Sequence, residues 1–138
     1  MKFIVRDTDY AVRALVYMAR ERIKKGKNVF TVDEIVEEEG LPERFLRRLL
    51  QILAKRGMLF SNKGKKGGFS FLKPPAKIKL TDIIEIFQGK VDITNCLLKG
   101  RICPNIKKCI LRKNLKNINK LVERELGKIT ITALLEGE

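Results

Sequence analysis

Thr31-Val-Asp-Glu-Ile-Val-Glu-Glu-Glu-Gly40-Leu-Pro42-Glu-Arg-Phe-Leu-Arg-Arg-Leu-Leu-Gln-Ile-Leu-Ala-Lys-Arg-Gly57, with Met58-Leu-Phe60, Ser61-Asn-Lys-Gly-Lys-Lys-Gly-Gly68 and Phe69-Ser-Phe-Leu72 directly after it, decides the fold. Thr31-Val-Asp-Glu34 has capping-box spacing: the Thr31 hydroxyl can accept from the Glu34 amide, and Glu34 can reach back. The helix it starts is short, because Gly40 can take the left-handed turn that ends it. Pro42 then stands where a first helical residue loses no needed N–H. Phe45, Leu46, Leu49, Leu50 and Leu53 give the next helix an apolar face, and Gly57 stops it. Helix, glycine-containing turn, helix is the order of a helix-turn-helix. Arg44, Arg47, Arg48 and Gln51 fall on the side away from the leucines. Arg can fork onto guanine O6/N7 and Gln can pair with adenine.

An ordinary amphipathic helix with a solvated face fits that pattern equally well, so the residues after Gly57 carry the decision. Met58–Phe60 and Phe69–Leu72 are short strand-like runs around a turn with three lysines and three glycines. A basic hairpin after a candidate recognition helix is the wing of a winged helix. Ser61, Lys63, Gly64, Lys65, Lys66, Gly67 and Gly68 are its candidate DNA contacts. The glycines allow close backbone approach to phosphate, and the lysines supply attraction. Neither GxxxxGK[ST] nor a strand-to-helix GxGxxG is present, so a nucleotide-binding loop is disfavoured.

Working outward, Asp7-Thr8 offers an N-cap for a first helix with Val12, Leu15, Val16, Ala19 and Ile23 at helical spacing, closed by Gly26. Lys73-Pro-Pro75 ends the wing unit, and Thr81 can cap a helix from Asp82 to Phe87 before Gly89. Leu111, Leu115, Ile118, Val122 and Leu126 mark one apolar stripe on a final helix of about 17 residues. That stripe suits a twin's helix in a symmetric dimer, whose two-fold axis would demand paired half-sites on DNA. Ile129–Leu135 is apolar enough to dock back onto the body. The expected fold is mainly α (α+β): a winged helix-turn-helix with a long C-terminal dimerisation helix. Residues 1–89 would bind DNA, 90–110 form a cysteine loop, and 111–138 hold the dimerisation helix and C-terminal segment.

The 138 residues carry 30 Lys+Arg against 16 Asp+Glu, a net charge of +14, and the charge is segregated. Arg44 to Leu80 contains no acidic residue and eleven basic ones, and Ile93 to Val122 contains eight more with no acid. Acid concentrates at Asp33 to Glu43. Such segregation suits a surface that meets phosphates and releases their counterions, although a Lys-rich solubilising surface would look similar. No apolar run is long enough to cross a bilayer, and no secretory signal is visible at the N-terminus. A cytoplasmic location with reduced thiols is expected. With no His in the chain, the commonest general base is missing, which counts against an enzyme.

All three cysteines fall in one segment, Cys96-Leu-Leu-Lys-Gly-Arg-Ile-Cys103-Pro-Asn-Ile-Lys-Lys-Cys109, spaced CX6CX5C. Basic neighbours favour the thiolates that metals need, and thiolates select zinc or iron–sulfur clusters. Structural zinc usually shows CxxC knuckles and four protein ligands, which this loop lacks. An iron–sulfur cluster, 2Fe–2S or 4Fe–4S, fits better. Three thiolates leave one position for a carboxylate, a small molecule or a residue of another subunit. Ordinary reduced cysteines, or a metal-free thiol switch, remain open alternatives. So does a basic RNA-binding accessory protein, although the only aromatics near the wing are Phe60, Phe69 and Phe71 in its strands.

At this point the chain resembles the Rrf-two family of bacterial winged-helix regulators, which includes IscR-type and NsrR-type iron–sulfur repressors. The resemblance rests on Thr8-Asp-Tyr-Ala-Val-Arg-Ala-Leu15, Phe45-Leu-x-x-Leu-Leu-x-x-Leu53, Gly57-Met-Leu and Ser61-x-Lys-Gly-x-x-Gly-Gly-Phe69. Ile78-x-Leu-Thr-Asp-Ile-Ile84, Gly89 and the cysteines before a long helix extend it over nearly the whole chain. It implies a homodimer that reads a near-palindromic operator in double-stranded DNA and carries a cluster on the three cysteines. It further implies a repressor of iron–sulfur biogenesis or of redox and nitric-oxide stress genes, with cluster state changing DNA affinity or preference. Three departures stand out. The family's usual Arg before the wing Gly is Lys63, which weakens a minor-groove arginine contact. Arg47-Arg48 replaces the Glu-Gln of many IscR-type members, so their target sequences do not transfer. The IscR-type histidine ligand would fall near Arg112, which cannot ligate. NsrR-type members use an N-terminal aspartate of the partner subunit, and Asp9 stands at that position; charge compensation at the helix start is its alternative role.

Overall fold

The computed structural model describes residues 3–64, 67–93 and 108–136. The first helix, α1 (Arg6–Lys25), buries Ala11, Ala14, Leu15, Met18 and Ala19, a stripe whose small residues let other helices approach closely. Gly26 ends it at φ 64°, its N–H donating to the Arg22 carbonyl. The expected Asp7-Thr8 cap is corrected. The helix starts at Arg6, Val5 is the N-cap without a side-chain bond, and Thr8 is fully buried inside the first turn. Asp7 and Asp9 still place negative charge at the positive end of the helix. Ile23, expected on the apolar face, is 70% exposed because the helix outruns the body it packs on.

α2 (Val32–Glu39) begins as half a capping box: Thr31 Oγ1 accepts from the Glu34 N–H at 3.2 Å. The reciprocal bond is absent, because the Glu34 carboxylate pairs with the Lys27 ammonium instead. Gly40 closes α2 at φ 66°. α3 (Glu43–Lys55) has Pro42 as its N-cap rather than its first helical residue, with the Pro42 carbonyl accepting from the Leu46 N–H at 3.0 Å. Leu46, Leu49, Leu50 and Leu53 are fully buried. Phe45, expected with them, is only half-buried.

β1 (Leu59–Asn62) and β2 (Gly68–Phe71) form one antiparallel pair, with Leu59 opposite Phe71 and Asn62 opposite Gly68. The strands are displaced slightly toward the loop relative to the expected runs. Phe30, just before α2, bonds to Phe69 in both directions, N–H to carbonyl at 2.8 and 2.7 Å. The hairpin is therefore held to the entry of the helix-turn-helix by backbone bonds. Gly68 makes this closeness possible: a Cβ there would stand 2.4 Å from the Phe30 carbonyl oxygen.

A 3-10 turn, Pro75–Lys77, leads to α4 (Leu80–Gln88). This helix starts before the expected Thr81 cap, and the Asp82 carboxylate accepts from the Lys79 N–H at 3.0 Å. α5 (Ile110–Lys128) is the expected long helix, and α6 (Ile131–Glu136) returns to the body. There the Leu80 N–H donates to the Ile129 carbonyl at 2.8 Å, the Ile131 N–H donates to the Ile78 carbonyl at 3.0 Å, and Ile131 is fully buried. Docking of the 129–135 segment was legible from its apolar run. The fold is mainly helical with one small sheet, a winged helix-turn-helix with a long C-terminal helix.

The α5 stripe divides between two directions. Leu115, Val122 and Leu126 are half-buried, whereas Leu111 and Ile118 are 67% and 47% exposed. Ile110 and Leu121 join the exposed set at 77% and 54%. The uncovered apolar face is thus rotated from the predicted seam.

Two stability tests follow from this packing. Gly68→Ala should force the Phe30 backbone away from the wing and cost about 1–3 kcal/mol in urea unfolding. A cost below a few tenths would show that the bridge relaxes freely. Tyr17 lies edge-on to Phe30 at a centroid distance of 6.2 Å. Its burial first, then the charges of Glu34, Glu21, Glu38 and Glu39, raise the phenol pKa above its ordinary value. The unfolded phenol ionises first, so this contribution is intact below about pH 10 and is lost as pH rises further. Tyr17→Phe should flatten that alkaline decline in thermal-melt profiles.

Candidate nucleic-acid interface and cysteine site

The buried leucines of α3 turn its other side to solvent, where Arg44, Arg47, Arg48 and Gln51 are all exposed at i, i+3, i+4 and i+7. The wing stands beside this face. Arg47 and Gln51 share a groove of about 400 Å³ with Ser61, Asn62, Gly64, Gly67 and Gly68, and Thr31 and Asp33 also line it. Arg44 and Arg48 lie along the adjoining surface of α3 with Glu43. Lys63 is exposed at the end of β1, whereas Lys65 and Lys66 lie outside the described residues. Reading the chain alone missed the contribution of the α2 entry, because Thr31 and Asp33 already had a complete explanation as helix-start residues.

Two of the arginines are held by carboxylates. Arg47 Nη2 pairs with Glu43 Oε1 at 3.0 Å along the same helix. Arg48 Nη2 reaches Asp7 Oδ2 of α1 at 3.0 Å, and its guanidinium lies 5.9 Å from the centre of the Phe45 ring. Arg6 approaches the same ring at 4.5 Å. Both arginines in these pairs are about half exposed, and such ion pairs are worth at most about 1 kcal/mol, so they exchange readily for a phosphate or a base edge.

The start of α1 is also tied to the end of α4. Gln88 Oε1 accepts from the Val5 N–H at 3.2 Å and from the Thr8 hydroxyl at 2.8 Å, while Gln88 Nε2 donates to the Phe3 carbonyl at 2.9 Å. Asp9, in the same turn, pairs with Arg13 at 3.2 Å and is partly exposed. Beyond α4, Asn119 of α5 accepts from the Ile93 N–H at 2.9 Å and donates to the Val91 carbonyl at 3.1 Å. Cys109 is the N-cap of α5, its Sγ accepting from the Arg112 N–H at 3.4 Å. Cys96 and Cys103 lie outside the described residues, and among the described residues no group of three metal-ligating side chains occurs. By residue type, thiols are donors that an iron–sulfur cluster takes, and Cys96, Cys103 and Cys109 fall in one stretch of the sequence. Neither Gln88 nor Asn119 carried any signal in the sequence.

The family model for Rrf2, described as an iron-dependent transcriptional regulator, matches residues 4–137. The chain belongs to the Rrf2, or Rrf-two, family. Members of this family are DNA-binding transcriptional regulators, typically dimeric, and not enzymes. A protein of Aquifex aeolicus (strain VF5), provisionally named as an HTH-type transcriptional regulator, is 34% identical over 131 residues, 94% of this chain and 88% of that protein. T. potens IscR is similar at 26% identity with a TM-score of 0.68, covering 99% of this chain and 88% of the other. CymR (YrzC), the global cysteine regulator of B. subtilis, shares the fold at TM-score 0.76 and 21% identity, covering 100% and 99% of the two chains. No described helix of this Rrf2 protein is long and apolar enough to cross a membrane.

The Gln88 clamp is directly testable. Gln88→Ala leaves the buried Thr8 hydroxyl without its acceptor and should cost about 1–3 kcal/mol in chemical unfolding. Adding Thr8→Val should recover part of that loss, since both partners are then apolar. Simple additivity of the two losses would contradict the clamp.

Proposed function

We propose that this Rrf2-family regulator is a cytoplasmic homodimer that reads a near-palindromic operator in duplex DNA and senses an iron–sulfur cluster. The cluster ligands would be Cys96, Cys103, Cys109 and Asp9 of the partner subunit. The observation that carries the DNA-reading half is the shared groove of Arg47 and Gln51 with the glycines of the wing. Long donors able to reach base edges stand there beside a backbone that phosphate can approach closely. In this reading residues 1–89 contact DNA, with Arg44, Arg47, Arg48 and Gln51 in the major groove and Ser61 to Gly68 on the flanking backbone. Residues 90–110 hold the cluster and 111–138 dimerise. The uncovered Ile110, Leu111, Ile118 and Leu121 support a twin seated on α5.

A bound cluster supplies a redox-active, removable group whose state differs with oxygen, nitric oxide or iron supply. The chain's own part is the linkage. Asp9 shares the first turn of α1 with Asp7, which holds Arg48 of the recognition helix. Gln88 ties that turn to the end of α4, from which the chain runs to the cysteines. A change passed along the chain from the cysteines to Gln88 would reach Asp7 and Arg48 through these bonds.

Anaerobic purification with iron and sulfide analysis, followed by operator selection from random duplexes, tests this reading. The wild-type protein should hold iron and inorganic sulfide and select a near-palindrome. Cys103→Ala should lose the visible-region cluster spectrum and change operator affinity. Arg47→Ala should relax base preference, while Lys65→Ala should weaken all duplexes alike and flatten the salt dependence. Colourless anaerobic protein whose operator binding reverses with reductant would replace the cluster by a thiol switch. Preference for structured RNA over every duplex would overturn the DNA reading.

A further inference from the structure

On α5 the exposed apolar residues and those half-buried against the body occupy two adjacent faces, and the third face is basic. Lys113, Lys116, Lys120 and Arg124 follow one another at i, i+3, i+7 and i+11, and all four are exposed. They line the side of the helix opposite Leu115 and Val122 and span about 16 Å along its axis. None has a carboxylate within ion-pair distance among the described residues.

Elsewhere this chain builds its solvated helix faces differently. Arg13 pairs with Asp9, Lys25 with Glu21 and Arg47 with Glu43, each along its own helix, and on α5 itself Lys128 pairs with Glu125 only past the end of the basic row. The seven residues between Ile110 and Glu123 that carry charge or amide groups include no acid. A stripe of like charges one turn apart repels itself and destabilises the helix that carries it. Its cost is offset when an external polyanion neutralises the row and releases counterions.

We propose that the Lys113–Lys116–Lys120–Arg124 face is a second, sequence-independent contact for the phosphate backbone of duplex DNA, separate from the α3–wing groove. The phosphates belong to the flanks of the bound operator. This inference rests on the DNA-reading function proposed above and adds a non-specific site to it. Lysine suits the role, since an ammonium attracts phosphate as a point charge and carries no base preference.

The test compares wild-type protein with Lys113→Gln/Lys116→Gln/Lys120→Gln and with a charge-matched control, Lys24→Gln/Lys25→Gln/Lys128→Gln, altered at exposed positions off this face. Affinity is measured across a salt series for the selected operator in a minimal duplex and in one with long random flanks. Sedimentation counts duplexes per dimer. The proposal expects the α5 variant to match wild type on the minimal operator. On the long duplex it should lose the gain that flanks confer, with a salt slope shallower by about 2–3 per protomer. Loss of a two-duplex species with the flank gain intact would overturn the flank contact. The control should behave as wild type in every arm. Equal affinities, slopes and stoichiometries for all three proteins would overturn the proposal while leaving operator recognition intact. Failure of the wild-type protein to select any duplex would instead overturn the DNA-reading function.

Discussion

Four fully buried leucines on α3 constrain everything that the molecule presents to a partner. Leu46, Leu49, Leu50 and Leu53 can sit in the core only if the helix is rotated so that Arg44, Arg47, Arg48 and Gln51 point outward. Turning the helix by one residue would expose leucine and bury guanidinium, a change that desolvation forbids. The orientation of this basic face is therefore set by hydrophobic burial and not by the charges on it. The Phe30–Phe69 bridge adds the second constraint, because it fixes where the wing stands relative to that face.

Much of this was legible in the chain, for identifiable reasons. Period and punctuation placed α1, α2, α3 and the hairpin, since Gly26, Gly40 and Gly57 each adopt the positive φ that ends or turns a segment. Element starts were less legible. Asp7-Thr8 and Thr81 have cap chemistry, yet tertiary partners decided otherwise: Gln88 claims the Thr8 hydroxyl, and Asp82 caps α4 from inside its first turn. Glu34 likewise turned to Lys27, a residue its local spacing does not single out. The rotation of the exposed face on α5 was hidden for a related reason, because a stripe shows what is apolar but not which part the rest of the chain already covers.

For the candidate site, residue types and spacing identified the arginines, the glutamine and the wing, and the structure brings most of the described ones into one groove. The contacts that link this groove to the rest of the protein could not be read from the chain. Arg48 and Asp7 are 41 residues apart, and Gln88 lies 80 residues from Thr8. Nothing in a local window reports such pairs. They matter because α1, whose first turn carries Asp9, is bonded at that turn to both α3 and the end of α4.

The attachment of residues 91–93 to Asn119 has a mechanical corollary. Cys109 begins α5 and Asn119 lies ten residues further along it, about 15 Å up the same axis. Both ends of the sulfur-bearing segment are thus moored to one rigid rod, and the closure entropy of joining them is already spent in the native state. The chain that carries the other two thiols therefore departs from and rejoins a single helix at two points whose separation that helix fixes.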